Sequence, residues 1–181
     1  MRVIAGSAGG IRLLTVPGRG TRPTLDRVRE SVFAILTPRL QDARVLDLYA
    51  GTGALGLEAL SRGAASCVFV ESDEAALRVL RQNAERAGLA DRAQVRRGRL
   101  PEALGRMAGE GPFDLVLCDP PYAQARWTAL LGGLEPLLAD DFVVAWEHAR
   151  QDVPALPRAY RRLRVAEYGQ TSVSFLGRGD Q

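Results

Sequence analysis

Lysine is absent: all 24 basic residues of this 181-residue chain are arginine. A guanidinium forks onto phosphate and stacks on bases, but genomic base composition alone produces the same bias, so it carries no assignment. It is not a heat-adaptation signature either, since that combines Lys with Glu. Cysteine is scarce. Cys67 and Cys118 form no disulfide framework and no metal-ligand spacing, and they read as small buried hydrophobes. The one histidine, His148, has no acid or nucleophile partner legible in the sequence and reads as structural or rim. No apolar run approaches the roughly 20 residues that span a bilayer. The N-terminus lacks the apolar core and cleavage pattern of a signal peptide. A cytoplasmic protein without membrane attachment is the expectation.

What the chain does have is 46% hydrophobic residues, enough to bury a core in one domain over 1–181. Its charge is uneven: +4 over residues 1–30, −4 over 31–149 and +3 over 150–181. Basic ends around an acidic middle suggest contact with a polyanion, although each single charge is by default a solvated one.

Residues 2–5 and 12–16 read as two short strands joined by a turn at Gly6, Gly9 and Gly10. This basic hairpin and its loop, 1–23, read as an appendage. Thr24 is a candidate N-cap for a helix to about Leu36, with Val28, Val32, Ile35 and Leu36 at helical spacing and Arg27 and Arg29 off that stripe. From Arg44 onward strands alternate with helices. Strands are expected at 45–48, 67–70, 94–97, 113–118 and 142–146, with helices at 51–62, 74–87 and about 127–138. Short, all-apolar strands alternating with helices predict an α/β fold with a parallel sheet covered on both faces. Strands at 161–166 and 171–176, joined by Tyr168-Gly169-Gln170, predict an antiparallel C-terminal hairpin at one sheet edge. Trp127 and Trp146 read as core or crevice wall.

The first expected strand runs into Val45-Leu46-Asp47-Leu48-Tyr49-Ala50-Gly51-Thr52-Gly53-Ala54-Leu55-Gly56. Gly51, Gly53 and Gly56 match G-x-G-x-x-G, which by itself says only that backbone approaches a nucleotide-like ligand closely, through Ala50–Gly53. Glu71 follows about 20 residues later, where a carboxylate accepts ribose hydroxyls. Both NAD and S-adenosylmethionine carry such a ribose. Asp47 separates them: it repels a pyrophosphate but attracts the ammonium and sulfonium of S-adenosylmethionine. The competing reading of Asp47 is a turn or helix-N-terminal acid.

The fourth strand ends in Asp119-Pro120-Pro121-Tyr122. Two prolines and a residue pushed to extended geometry make a stiff turn facing the crevice above the glycine turn. An amino group on a base is a poor nucleophile because its lone pair is delocalised. Asp119 can accept one N–H and stabilise the charge that develops, the Pro120 carbonyl can accept the other, and Tyr122 can stack on the base. The base must be unpaired or flipped out. Asp-Pro also marks ordinary surface turns; the specificity lies in tetrad, glycine turn and Glu71 together.

These residues resemble the class I methyltransferases that modify amino groups. Over essentially its full length the chain is similar to the bacterial family of 16S ribosomal RNA guanine-N2 methyltransferases. The likeness rests on Arg22-Pro23-Thr24 with Arg27-Val28-Arg29-Glu30, on Asp47 to Gly63, on Asp119 to Tyr122, and on Tyr168-Gly169-Gln170-Thr171. It implies a Rossmann-like seven-stranded mixed sheet, S-adenosylmethionine as cofactor, and N2-methylguanine as product. It also implies that the partner is 16S rRNA within the small ribosomal subunit or an assembly intermediate; a monomer is the separate expectation. RNA contact then maps onto Arg2, Arg12, Arg22, Thr24, Arg27 and Arg29. One departure stands out: Gly98-Arg99-Leu100 replaces the acid or amide that often reads adenine, leaving the backbone at Arg99 and Leu100, or stacking by Arg99, for that task. Alternatives are an acceptor adenine or protein glutamine, an NAD-dependent oxidoreductase, and a non-catalytic RNA-binding assembly factor.

Overall fold

The computed structural model describes residues 1–16, 24–121, 127–153 and 155–179. Helix α1 is Thr24–Leu36. There follow β1 (Arg44–Leu48), α2 (Ala54–Ser61), β2 (Ser66–Glu71), α3 (Glu74–Arg86) and β3 (Ala93–Arg97). The second half holds β4 (Phe113–Cys118), α4 (Trp127–Leu134), β5 (Leu138–Ala149), β6 (Tyr160–Tyr168) and β7 (Thr171–Arg178). One seven-stranded sheet has the order β3-β2-β1-β4-β5-β7-β6. The pairs among β1 to β5 are parallel. Strand β7 runs antiparallel between β5 and β6. This is the mixed Rossmann-like sheet with a C-terminal hairpin that the sequence implies.

Both faces of the sheet are covered, which is why its central strands carry near-continuous apolar runs rather than alternating, with Asp47 in β1 and Asp114 in β4 as polar exceptions. In β1 four consecutive residues, Val45 to Leu48, are buried. Leu57 and Leu60 of α2, Leu80 and Ala84 of α3 and Phe33 of α1 pack with Val45, Phe69 and Leu117 on one face. Leu130, Leu131 and Leu134 of α4 pack with Leu46, Val116 and Trp146 on the other. Helix α2 lies close on the sheet because position 56 lacks a side chain: a Cβ there would sit 2.3 Å from the Phe69 ring and 2.7 Å from Cys67 Sγ. Among the described residues no helix is long and apolar enough to cross a membrane.

Four sequence expectations are corrected. The N-terminal strands reduce to a single antiparallel bridge, Arg2 with Arg12. The amides of Val3, Gly10 and Leu13 still bond across the hairpin, but four others bond helix side chains. Ile4 and Ala5 donate to the Glu58 carboxylate (2.6 and 3.1 Å), Ala8 to Ser61 Oγ (2.9 Å) and Leu14 to Asn83 Oδ1 (2.7 Å). Val3, Ala8 and Leu13 are buried in the same core as α2 and α3. Arg29 does not face solvent: it is 4% exposed. It donates to the Arg2 carbonyl and to Asp26, fastening hairpin to α1, so it leaves the RNA-facing set. Helix α4 ends at Leu134, with a 3-10 turn over Glu135–Leu137, because Pro136 cannot continue it. Strand β5 starts at Leu138, four residues early, through a register shift against β4.

Candidate active site

The carboxyl ends of β1, β2 and β4 form one edge. Leu48 pairs with Val70 on one side and with Cys118 on the other. The residues just beyond, Glu71 and Asp119, therefore flank the turn that leaves β1. That turn is tightly wound: Tyr49, Gly51 and Gly53 have φ of 57°, 55° and 89°. The Ala50 amide donates to the Val70 carbonyl (3.1 Å) and the Gly53 amide to the Ala50 carbonyl (2.8 Å). The Thr52 carbonyl accepts from Asn83 Nδ2 (2.9 Å), and Asn83 also binds both backbone groups of Leu14. One buried amide thus ties the glycine turn to α3 and to the N-terminal hairpin.

Three carboxylates converge here in different states. Asp47 is 1% exposed. Its Oδ2 accepts the Gly56 amide at 2.9 Å, so it is a helix-N-terminal acid. Its Oδ1 is buried with no hydrogen-bond partner among the described residues. Burial, reinforced by Asp119 and Glu71 nearby, lifts its pKa from 3.8 to about 8. Glu71 is half-buried and clasped by backbone. Its Oε2 accepts from Gly51 (2.8 Å), and its Oε1 from the amides of Ser72 (2.6 Å) and Asp73 (2.8 Å). Asp119 is exposed at this edge, but the protein packed around it partly desolvates its carboxyl and raises the pKa to about 6. Pro120 is buried and Pro121 exposed. Tyr122 and Arg22 lie outside the described residues.

The Gly98 amide donates to the Glu71 carbonyl (3.0 Å), bringing Arg99 and Leu100 to the same edge. Arg99 is exposed, and its carbonyl is taken by the Ala103 amide at 2.8 Å. Leu100 is half-buried against the core. Arg2, Arg12 and Arg27 are exposed, and Thr24 opens α1.

Sequence reasoning missed one feature, Glu58, and placed the two tryptophans correctly as core or crevice wall. Glu58, fully buried, clamps the hairpin and accepts Arg62 Nε at 2.6 Å; its signal was a lone acid inside the apolar helix ALGLEALS. Trp146 pairs in register with Cys118, next to Asp119. Trp127 stacks on it (3.9 Å between ring centres) and meets His148 edge-on at 5.5 Å. His148 is buried and within hydrogen-bond distance of Ser174 Oγ (2.9 Å), a structural role.

The family described as "Conserved hypothetical protein 95" matches residues 1–177. The chain belongs to this family. Among its relatives is Ribosomal RNA small subunit methyltransferase D of Escherichia coli K12, 34% identical over 176 residues, 95% of this chain and 87% of that one. Bacillus subtilis YlbH, provisionally named an rRNA methyltransferase, is 40% identical over 179 residues, 96% of this chain and 97% of that one. A solved E. coli structure, provisionally named methyltransferase yhhF, superposes with a TM-score of 0.85 at 36% identity, covering 100% of this chain and 99% of that one. With this family and fold comes S-adenosylmethionine as cofactor. The residues fit it. The orphaned Asp47 Oδ1 is an acceptor awaiting a cationic or hydrogen-bonding group. A Cβ at Gly51 would point into open space, leaving a bare backbone surface at the crevice.

Proposed function

We propose that the chain transfers a methyl group from S-adenosylmethionine to the exocyclic N2 of a guanine in 16S rRNA. It acts as a single chain in the cytoplasm while the small ribosomal subunit assembles. The observation that carries this reading is the placement of Asp119: a solvent-facing carboxylate and the Pro120 backbone stand beside a glycine turn backed by two further acids. The family relatives support the substrate class, since one is named for the RNA of the small subunit.

When bound, S-adenosylmethionine supplies a methyl carbon made electrophilic by its sulfonium. Gly51 to Gly53 present backbone to it, Glu71 Oε2 has a second lone pair for a ribose hydroxyl, and Asp47 lies beneath the turn as buried negative charge in waiting. Asp119 accepts one N–H of the base amino group and holds the developing positive charge. The Pro120 carbonyl takes the second N–H, so the nitrogen lone pair is aimed rather than left in the ring plane. Tyr122 is assigned to stack on the base. The exposed Arg2, Arg12 and Arg27, with Thr24 and Arg22, are assigned to RNA, Arg2 and Arg12 on the hairpin that Asn83 ties to the glycine turn.

The test is methyl transfer from labelled cofactor to small subunits taken from a bacterium lacking methyltransferase D. Label in the RNA supports the reading. Normal cofactor binding with no label in RNA overturns it in favour of a non-catalytic assembly factor.

A further inference from the structure

The basic C-terminal segment, 150–181, has no role in the reaction described so far. Its arginines concentrate on β6, the edge strand of the sheet. Five consecutive residues of this strand, 161–165, are exposed, so here neither face of the strand is covered. Leu163 and Val165 are 47% and 39% exposed among the arginines. Several surface arginines elsewhere meet acids: Arg39 with Asp141, Arg96 with Glu110, Arg97 with Glu74 and Arg178 with Asp140. Along β6 the one acid, Glu167, is taken by Arg150 at 2.7 Å, while Arg161 and Arg164 have no acid within ion-pair distance among the described residues.

The edge also points the right way. Strand β6 is antiparallel to β7, which is antiparallel to β5, so β6 runs parallel to β5 and ends at the crevice. Tyr168, at that end, shares a 2.7 Å hydrogen bond with Ser31 of α1. Arg27, one helical turn before Ser31, is exposed on the same side. Arg164 opposes Phe175 and Ala166 opposes Val173, both on the face that α1 covers. At about 3.3 Å per residue and about 4.8 Å between strands, Arg164, three strands away and one residue off the level of Cys118, lies roughly 15 Å from the end of β4. That distance is a few nucleotides of backbone. Charges on an edge strand also deter strand pairing, but a mixture of signs does that equally well. A single unneutralised sign matches a polyanion.

We infer that β6 is a second RNA-binding element, on which Arg161 and Arg164 hold backbone phosphates flanking the target nucleotide. This rests on the proposed RNA substrate. The edge adds affinity and register but no base reading, since phosphate contacts position rather than specify.

The experiment measures binding of the full chain to 16S rRNA and to unmodified small subunits as a function of salt. The variants are Arg161→Ala/Arg164→Ala, its charge-reversed Glu counterpart, and Arg96→Ala as a control on β3, the opposite edge strand of the sheet. Each lost phosphate contact lowers the slope of log K against log salt by about 0.7 to 0.9, so the double alanine variant should lose about 1.4 to 1.8. KM for the particle should rise with kcat and cofactor affinity unchanged, and the Glu variant should be weaker still. Unchanged salt slopes in both double variants, with the wild type binding normally, overturn the edge alone. Weaker particle binding with an unchanged slope on rRNA also overturns it, in favour of a ribosomal protein contact. A wild type that binds neither rRNA nor particle removes the proposed function together with the edge.

Discussion

Asp47→Asn separates stability from cofactor binding. Burial holds the Asp47 carboxyl at about 8 against 3.8 in an unfolded chain. The folded protein therefore keeps the proton more tightly than the unfolded one. The contribution to stability is fully present below about pH 3.8 and is lost as pH climbs through 8. At pH 7 about three pKa units of this penalty apply, at most about 4 kcal/mol. Asparagine fills the same volume, can accept the Gly56 amide and carries no charge. Urea unfolding of the free protein at pH 5 and pH 8 should show Asp47→Asn gaining stability over wild type as pH rises. Cofactor affinity should fall at least tenfold, because the cation loses its buried counter-charge. At pH 7 the wild type should also release close to one proton on binding the cofactor, read by calorimetry in buffers of different ionisation enthalpy, and the variant should release none at this site. If Asp47→Asn is less stable than wild type at pH 8, the ionised carboxylate is supporting α2, and the reasoning is wrong.

Asp119→Ala should cut kcat by about 10² to 10³ while cofactor affinity changes only a few-fold; a large loss of cofactor binding would move Asp119 into the cofactor site. If Asp119 serves as the proposed carboxylate, with its pKa raised to about 6, the wild-type rate should fall about tenfold per pH unit below that value, and a flat profile from pH 5 to 8 would contradict its role. Gly56→Ala should cost about 1–3 kcal/mol in urea unfolding through the 2.3 Å approach to Phe69, whereas Gly51→Ala, strained by its left-handed φ of 55° and not by packing, should cost about 1–2 kcal/mol and also lose cofactor binding. Arg27→Ala should weaken RNA binding with stability intact. Arg29→Ala should do the reverse, losing about 1–3 kcal/mol with its buried hydrogen bonds.

The strands of the sheet were legible because period and length agreed: buried runs such as Val45–Leu48 and Phe113–Cys118 stop where glycine or proline intervenes. The terminal hairpin was legible from its Tyr168-Gly169-Gln170 turn, and Gly169 adopts a φ of 64°. The N-terminal hairpin was misread because four of its backbone amides are satisfied by Glu58, Ser61 and Asn83, residues more than 50 positions away that no local pattern announces. Arg29 was misread for a related reason. An arginine off the apolar stripe of a helix is normally solvated, but here another segment lies over that side of α1 and supplies the Arg2 carbonyl. The acids of the site were legible in kind and place. Their states were not: one Asp47 oxygen serves the α2 N-terminus and the other has no partner, which only the packing of α2 on β2 decides.

Nucleoside analysis by mass spectrometry, after reaction of the protein and labelled S-adenosylmethionine with unmodified small subunits, tests the central claim most directly. The account requires the label in N2-methylguanosine at a single 16S position, absent with Asp119→Ala. Label in N6-methyladenosine, or in ribosomal protein rather than RNA, would contradict it.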